Sequence, residues 1–223
     1  MSEGAASGLD VFYPIVPDAG WVARLVPLGV RTVQLRVKGA GGDDAHRQIV
    51  ESLAIAERHS CQLIVNDYWR EAIAAGADYV HLGQEDLAAA DLGAIKAAGV
   101  RLGISTHSED ELEIALAAGP AYVALGPIYE TRLKAMAWAP QGLDRLAQWK
   151  ARIGDLPLVA IGGITPERAN DVLAAGAQSA AVITNFMTAP DPVQRVGVWL
   201  DWAAAQRDRR ALHTTPQPRA TKA

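Results

Sequence analysis

The sequence predicts a single closed barrel of eight parallel strands alternating with helices, the (β/α)₈ architecture of the TIM type. Three observations carry that expectation. Eight short apolar runs recur at fairly even spacing along 223 residues. Helix-length segments separate them, and a repeated alanine-alanine-glycine phrase marks the joins. That phrase occurs as Ala74-Ala75-Gly76, Ala97-Ala98-Gly99, Ala117-Ala118-Gly119 and Ala174-Ala175-Gly176, with Leu28-Gly29-Val30 a looser copy. Glycine just past a helix end supplies the left-handed conformation of a C-cap, and a short connection then feeds the next strand. A doubly wound open sheet is the alternative. Even spacing, with no long insertion and no interdomain linker, favours the barrel.

Reading forward from these marks gives each element in turn. The first strand is expected at 11–16 (VFYPIV), followed by 32–36 (TVQLR), 62–66 (QLIVN) and 79–83 (YVHLG). The remaining four are expected at 101–105 (RLGIS), 122–126 (YVALG), 158–162 (LVAIG) and 179–183 (SAAVI). Most of these runs carry β-branched residues, as strands do. Helical segments fall between them, and the last lies near 190–206 with Pro192 in its first turn. Residues 1–10 read as a flexible amino terminus and 11–206 as the catalytic barrel.

Composition narrows the function classes. Half the residues are hydrophobic, yet no run approaches the ~20 apolar residues of a membrane span. The opening MSEGAASGLD lacks the basic and apolar regions of a secretory signal. Cys61 is the only cysteine, which excludes an internal disulfide, and it reads as a buried structural thiol. A cytoplasmic enzyme fits. The net charge is −4, but residues 207–223 hold five basic and one acidic side chain, contributing +4 and leaving −8 for the rest. That acidic body argues against nucleic acid as a partner. The basic segment 207–223 reads as a disordered, solvated tail. Trp21, Trp138, Trp149, Trp199 and Trp202 are compatible with a homo-oligomer interface, although packing of helices on the barrel explains most of them.

Ligands of α/β barrels bind at the carboxyl ends of the strands, and the polar residues collected there form a set. Strand 2 ends in Gln34-Leu35-Arg36-Val37-Lys38, strand 3 in Asn66-Asp67, and strand 4 in Gln84-Glu85-Asp86. Strand 5 ends in Ser105-Thr106-His107, strand 6 leads to Thr131 and Lys134, strand 7 ends in Gly162-Gly163, and strand 8 in Ile183-Thr184. Asp67 and Asp86 on adjacent strands would repel each other unless a cation lay between them, and hard oxygen ligands beside a phosphate suit Mg²⁺. Either alone would read as a helix N-cap. Arg36 and Lys38 would face phosphate oxygens or simply solvent. Thr165-Pro166 is a helix start that needs no function, which leaves Gly162-Gly163 to explain. Paired glycines at the place where barrels commonly bind phosphate let backbone N–H groups approach an anion. Two anion sites in one mouth imply two phosphorylated small-molecule substrates being joined. His81, inside a strand, reads as packing, and no Ser-His-Asp arrangement is present.

The chain resembles the thiamine phosphate synthase family from about Val11 to about Ala189. QLRVK at 34–38, VNDYW at 65–69, VHLGQEDL at 80–87, GISTH at 103–107, GPIY at 126–129 and AIGGI at 160–164 stand in the family's order and spacing. The resemblance implies that Gln34, Leu35, Arg36, Val37, Lys38, Asn66, Ser105 and Lys134 hold a pyrimidine diphosphate, with Arg36, Lys38, Ser105 and Lys134 catalytic. It implies Asp67 and Asp86 as ligands of one Mg²⁺. It implies Thr131, Arg132, Leu133, Gly163, Ile183 and Thr184 as the contacts of a thiazole phosphate. Diphosphate would leave first, and the thiazole nitrogen would capture the resulting pyrimidine methyl cation. Two departures fall on the thiazole side. The family's Thr-x-Thr-Lys is here Thr131-Arg132-Leu133-Lys134, one hydroxyl fewer. Its Val-Ser-Ala-Ile is Ile183-Thr184-Asn185-Phe186, with Phe186 expected to add bulk near the phosphate. A thiazole tautomerase of the same fold and a catalytically silent precursor-binding barrel are the alternatives.

Overall fold

The computed structural model describes residues 8–131 and 139–214. In chain order the elements are β1 (Phe12–Val16), α1 (Ala19–Leu25), β2 (Thr32–Leu35), α2 (Gly42–Arg58), β3 (Gln62–Asn66), α3 (Trp69–Ala75) and β4 (Tyr79–Leu82). There follow α4 (Gln84–Ala89), α5 (Leu92–Ala97), β5 (Arg101–Thr106), α6 (Glu109–Ala117), β6 (Tyr122–Leu125) and α7 (Gly142–Ile153). The chain closes with β7 (Leu158–Ile161), α8 (Pro166–Ala174), β8 (Ser179–Val182), α9 (Thr184–Met187) and α10 (Pro192–Thr214). Every strand pairs in parallel with its sequence neighbour, and β8 pairs back on β1 through Phe12↔Ala180, Tyr13↔Ala181 and Pro14↔Val182. That last pairing makes a closed barrel and disposes of the open sheet. The glycines that marked the joins do what the sequence asked of them: Gly76, Gly99, Gly119 and Gly176 have φ of 76, 72, 68 and 104°.

Side chains alternate faces along a strand, so each strand feeds two cores. Tyr13, Ile15, Ile64, Tyr79, Tyr122, Ala124, Val159 and Ala181 fill the barrel interior. Their neighbours Phe12, Val16, Val33, Leu35, Leu63, Val65, Val80, Leu82 and Ile104 pack outward under the helices. Phe12 stacks on Trp199 of α10 with ring centroids 5.2 Å apart. Trp149 of α7 is buried and donates to Thr106 Oγ1 at 3.1 Å, so both tryptophans belong to helix-on-barrel packing. The same alternation sets up the site. Continuing the inward parity to the carboxyl end brings Gln34 on β2, Asn66 on β3, His81 on β4 and Ser105 on β5 to the interior side.

The chain ends depart from expectation. α10 runs to Thr214, so residues 207–214 are helical rather than part of a tail. Composition alone hid the reason, which is that the barrel floor supplies acceptors. Arg207 Nη1 pairs with Asp10 Oδ2 at 2.8 Å, and Arg210 Nη2 donates to the Gln178 carbonyl at 3.0 Å. Asp10 is in turn held by its N–H to Thr32 Oγ1 at 2.8 Å and by Ser179 Oγ donating to its carbonyl at 2.7 Å. Asp10, expected in a flexible terminus, is therefore held in place; residues 1–7 and 215–223 lie outside the described part. No helix among the described residues is long and apolar enough to cross a membrane. Cys61 is buried, and burial pushes its thiol up to about 12, which makes it an inert packing group.

Candidate active site

The acids at the ends of β3 and β4 do not cap helices. The N-cap of α3 is Tyr68 and that of α4 is Gly83, neither with a side-chain cap bond, while Asp86 sits inside the first turn of α4. Asp67 is instead held in a left-handed conformation, φ 64°, rare for a residue with a Cβ and a mark of functional loops. Its N–H donates to the His81 carbonyl at 2.9 Å, which ties the kink to β4. Asp86 is raised above the ordinary carboxylate range, first by burial and then by the facing Asp67 carboxylate, with Lys38 working against both. Lys38 Nζ contacts Asp67 Oδ2 at 3.0 Å. The two carboxylates thus meet across the β3–β4 seam. Among the described residues no group of three or more His, Cys, Asp or Glu converges, so a cation here would draw its other ligands from water and substrate.

Around this pair the strand ends divide by parity. Gln34 and Asn66 are buried in the mouth, whereas Leu35 and Val37 are buried in the outer core and offer a ligand only their backbone. Arg36 and Lys38 are exposed at the exit of β2. Asn66 Nδ2 is buried with no hydrogen-bond partner, a donor left for an acceptor from outside the chain. Ser105 is half-buried on β5, and Gln84 Nε2 crosses from α4 to its carbonyl at 2.6 Å. Lys134, Arg132 and Leu133 lie outside the described residues.

Below the mouth runs a set that the motifs did not single out. Gln34 Nε2 donates to Tyr13 Oη at 2.7 Å, Tyr13 and Tyr122 hydroxyls meet at 2.9 Å, and Tyr122 Oη lies 2.8 Å from His81 Nδ1. His81 Nε2 then reaches Ser105 Oγ at 2.8 Å. Burial lowers the His81 imidazole to about 4, with Asp67 opposing, so it is neutral at ordinary pH. A reading of His81 as strand packing is therefore incomplete, since it is buried and doubly hydrogen-bonded. The signal was period-two parity: Tyr13, His81 and Tyr122 share the inward face with Gln34 and Ser105.

The opposite half of the mouth is built from backbone. Gly162 and Gly163 have φ of 100 and 65°. A Cβ on Gly162 would sit 2.6 Å from Pro127 Cα, and one on Gly163 2.5 Å from the Glu130 carbonyl oxygen. Tyr129 N–H donates to the Gly162 carbonyl at 3.0 Å, so the β6 loop lies directly on the β7 turn. Thr131, further along that loop, is half-buried. Ile183 and Thr184 follow β8, and Thr184 opens α9, a turn the sequence did not announce. Its first N–H groups have no intrahelical partner.

The chain is similar to known proteins. The family model described as thiamine monophosphate synthase matches residues 13–186. A thiamine-phosphate synthase of Rhizobium etli is 57% identical over 199 residues, covering 89% of this chain and 98% of that protein. The chain belongs to the thiamine monophosphate synthase family. A second family member, the thiamine-phosphate synthase of Citrobacter koseri, is 49% identical over 179 residues, 80% of this chain and 85% of that one. A thiamine phosphate pyrophosphorylase of Pyrococcus furiosus superposes with TM-score 0.77 at 24% identity over 90% of this chain and 98% of that chain, a likeness in fold.

One departure from the family pattern resolves at the level of packing. Phe186 is fully buried and meets Trp21 of α1 edge-on, centroids 6.2 Å apart, so it adds its bulk to the core. Asn185 Oδ1 accepts from Trp199 Nε1 and Arg195 Nε, each at 2.9 Å, which locks α9 onto α10.

Proposed function

We propose that the chain is a thiamine phosphate synthase. It couples 4-amino-2-methyl-5-(diphosphooxymethyl)pyrimidine with 4-methyl-5-(2-phosphooxyethyl)thiazole, or its carboxylated form with loss of CO₂. The products are thiamine phosphate and diphosphate. The observation that carries this reading is the non-capping carboxylate pair Asp67 and Asp86 beside the unpartnered Asn66 amide, facing a glycine turn across one barrel mouth. The residues fit a divalent cation: hard oxygen donors only, one of them raised first by burial and then by its neighbour. Asp67 and Asp86 would hold Mg²⁺, which when bound supplies charge neutralisation for the departing diphosphate.

The remaining chemistry belongs to the chain's own side chains. Asn66 donates its amide hydrogen to a diphosphate oxygen, and Arg36, Lys38 and Lys134 spread positive charge over the rest. Gln34 and Ser105 hold the pyrimidine ring. The backbone of Gly163 and Thr184, with Thr131, Arg132, Leu133 and Ile183, receives the thiazole phosphate and keeps the ring nitrogen in line for attack on the methylene carbon. No protein nucleophile is required, and the neutral, buried His81 is not placed to act as one. Mixing purified protein with both substrates and following thiamine phosphate and diphosphate tests the proposal. Formation with Mg²⁺ and its loss with EDTA is the expected result. Binding of the pyrimidine diphosphate without any product would overturn it.

A further inference from the structure

Tyr13, Gln34, His81, Ser105 and Tyr122, from five different strands, form one unbroken hydrogen-bonded chain through the barrel interior. Its ends are groups that the proposed function places against the pyrimidine; its middle members are buried and touch the ligand only through those ends. A Cβ at Gly103 would overlap the Tyr122 ring, so β5 keeps a glycine where the chain crosses it.

Counting protons, with the Gln34 amide nitrogen turned toward Tyr13, gives the chain a direction. A phenol has one hydrogen to donate and a neutral imidazole has one N–H. Gln34 Nε2 donates to Tyr13 Oη. Tyr13 then gives its only hydrogen to Tyr122 Oη, and Tyr122 gives its own to His81 Nδ1. The imidazole must carry its hydrogen on Nε2 and donate to Ser105 Oγ. Ser105 has accepted a hydrogen bond and keeps its own O–H for something else. At the other end the Gln34 amide gives one N–H to Tyr13, which turns Oε1 to the opposite side of the amide as the acceptor there. Reversing any one bond strands a hydroxyl hydrogen or places two hydrogens between one pair, so the whole chain has only two self-consistent polarities.

We propose that Tyr13, Tyr122 and His81 are positioning residues that fix this polarity, so that the mouth offers an acceptor from Gln34 and a donor from Ser105. That pair matches an aminopyrimidine, whose amino group donates and whose ring nitrogen accepts. It mismatches the oxo counterpart, whose carbonyl accepts and whose ring N–H donates. The inference rests on the synthase reading for the identity of the ring, but the polarity itself is a property of the free protein.

Two measurements separate the claims. First, ¹⁵N NMR of the full chain labelled at histidine, with His81 assigned by its disappearance in His81→Gln, should show the Nε2–H tautomer; an Nδ1–H tautomer means the reversed polarity and overturns the proposal. Second, wild type and the variants Tyr13→Phe and Tyr122→Phe are compared with the aminopyrimidine diphosphate and its oxo analogue. The phenylalanines keep the rings and remove only the chain. Discrimination between the two substrates should fall by about tenfold or more, the weight of one hydrogen bond that changes sign. KM for the thiazole phosphate should stay within about twofold, since those variants leave its contacts in place. Unchanged discrimination would overturn the proposal. Absence of turnover by the wild type would sink the synthase reading while the tautomer still reports on the chain.

Discussion

In the proposed reaction the two halves of the barrel mouth bind anions in different ways. Strands β2 to β5 do it with side chains: Asp67, Asp86, Lys38, Asn66 and Ser105, supported from below by buried hydrogen bonds. Strands β7 and β8 do it with backbone, through Gly162, Gly163 and the opening of α9. The consequence is a difference in what each half is coupled to. The side-chain half stands clear of the helix caps, so its residues can change without loss of fold. The backbone half doubles as a packing joint, where the β6 loop rests on the β7 turn. Function and stability should therefore separate in the first half and fall together in the second.

Asp67→Asn tests the separation most severely. Asparagine tolerates the left-handed φ of 64° that this position demands, so the fold should survive with Tm shifted by no more than about 2 °C. Losing one carboxylate of the proposed metal clamp should lower kcat/KM by about a hundredfold or more, equivalent to about 3 kcal/mol of transition-state stabilisation. Steady-state rates and a thermal melt decide it; a parallel fall in Tm would mean that Asp67 is structural after all.

The side-chain half does contribute one stability cost of its own, and it appears with acid. His81 takes up a proton near 6.5 in the unfolded chain but only near 4 in the barrel. Between those values the unfolded state binds more protons, so stability is complete above pH 6.5, falls as pH drops toward 4 and levels below it. The shift corresponds to about 3 kcal/mol. Denaturant melts from pH 7 to pH 4 should show that limb in the wild type. They should show a shallower one in His81→Gln, whose side chain does not titrate.

What could be read from the sequence follows the same division. Strand positions, the closing glycines and the acid pair are legible because alternation, C-cap chemistry and like-charge repulsion act locally. The hydrogen-bonded run from Gln34 to Ser105 was not, since it joins five strands through parity and closure, and His81 alone carries no such signal. The ordered end of α10 was missed because Arg207 gains its partner, Asp10, from the far end of the chain. Gly162 and Gly163 were seen, but one fact was invisible: Pro127 and Glu130 press on them.

Gly163→Ala probes the coupled half. The added methyl would meet the Glu130 carbonyl oxygen at 2.5 Å in a conformation with φ of 65°. Strain of this kind costs about 2 kcal/mol. Both Tm and affinity for the thiazole phosphate should drop, the latter because the turn must move to relieve the clash. A stable variant with weakened phosphate binding would show that the turn serves the ligand alone, and the two halves would then be built on the same plan.

Asn185→Ala gives the smallest effect and the finest distinction. Asn185 is the neighbour of Thr184, yet its Oδ1 accepts from Trp199 and Arg195 rather than facing a ligand. Removing it strands a buried indole N–H and a half-buried guanidinium N–H, at a cost of about 1 kcal/mol. If α9 is oriented by that clamp, Tm should fall by a few degrees, and KM for the thiazole phosphate should rise by no more than about threefold, since the Thr184 N–H and hydroxyl remain. A KM increase larger than the loss of stability would place Asn185 within reach of the phosphate itself. The departure from the family's strand-8 sequence would then be a change in ligand contact, and not the change in helix packing that the Trp199 and Arg195 bonds describe.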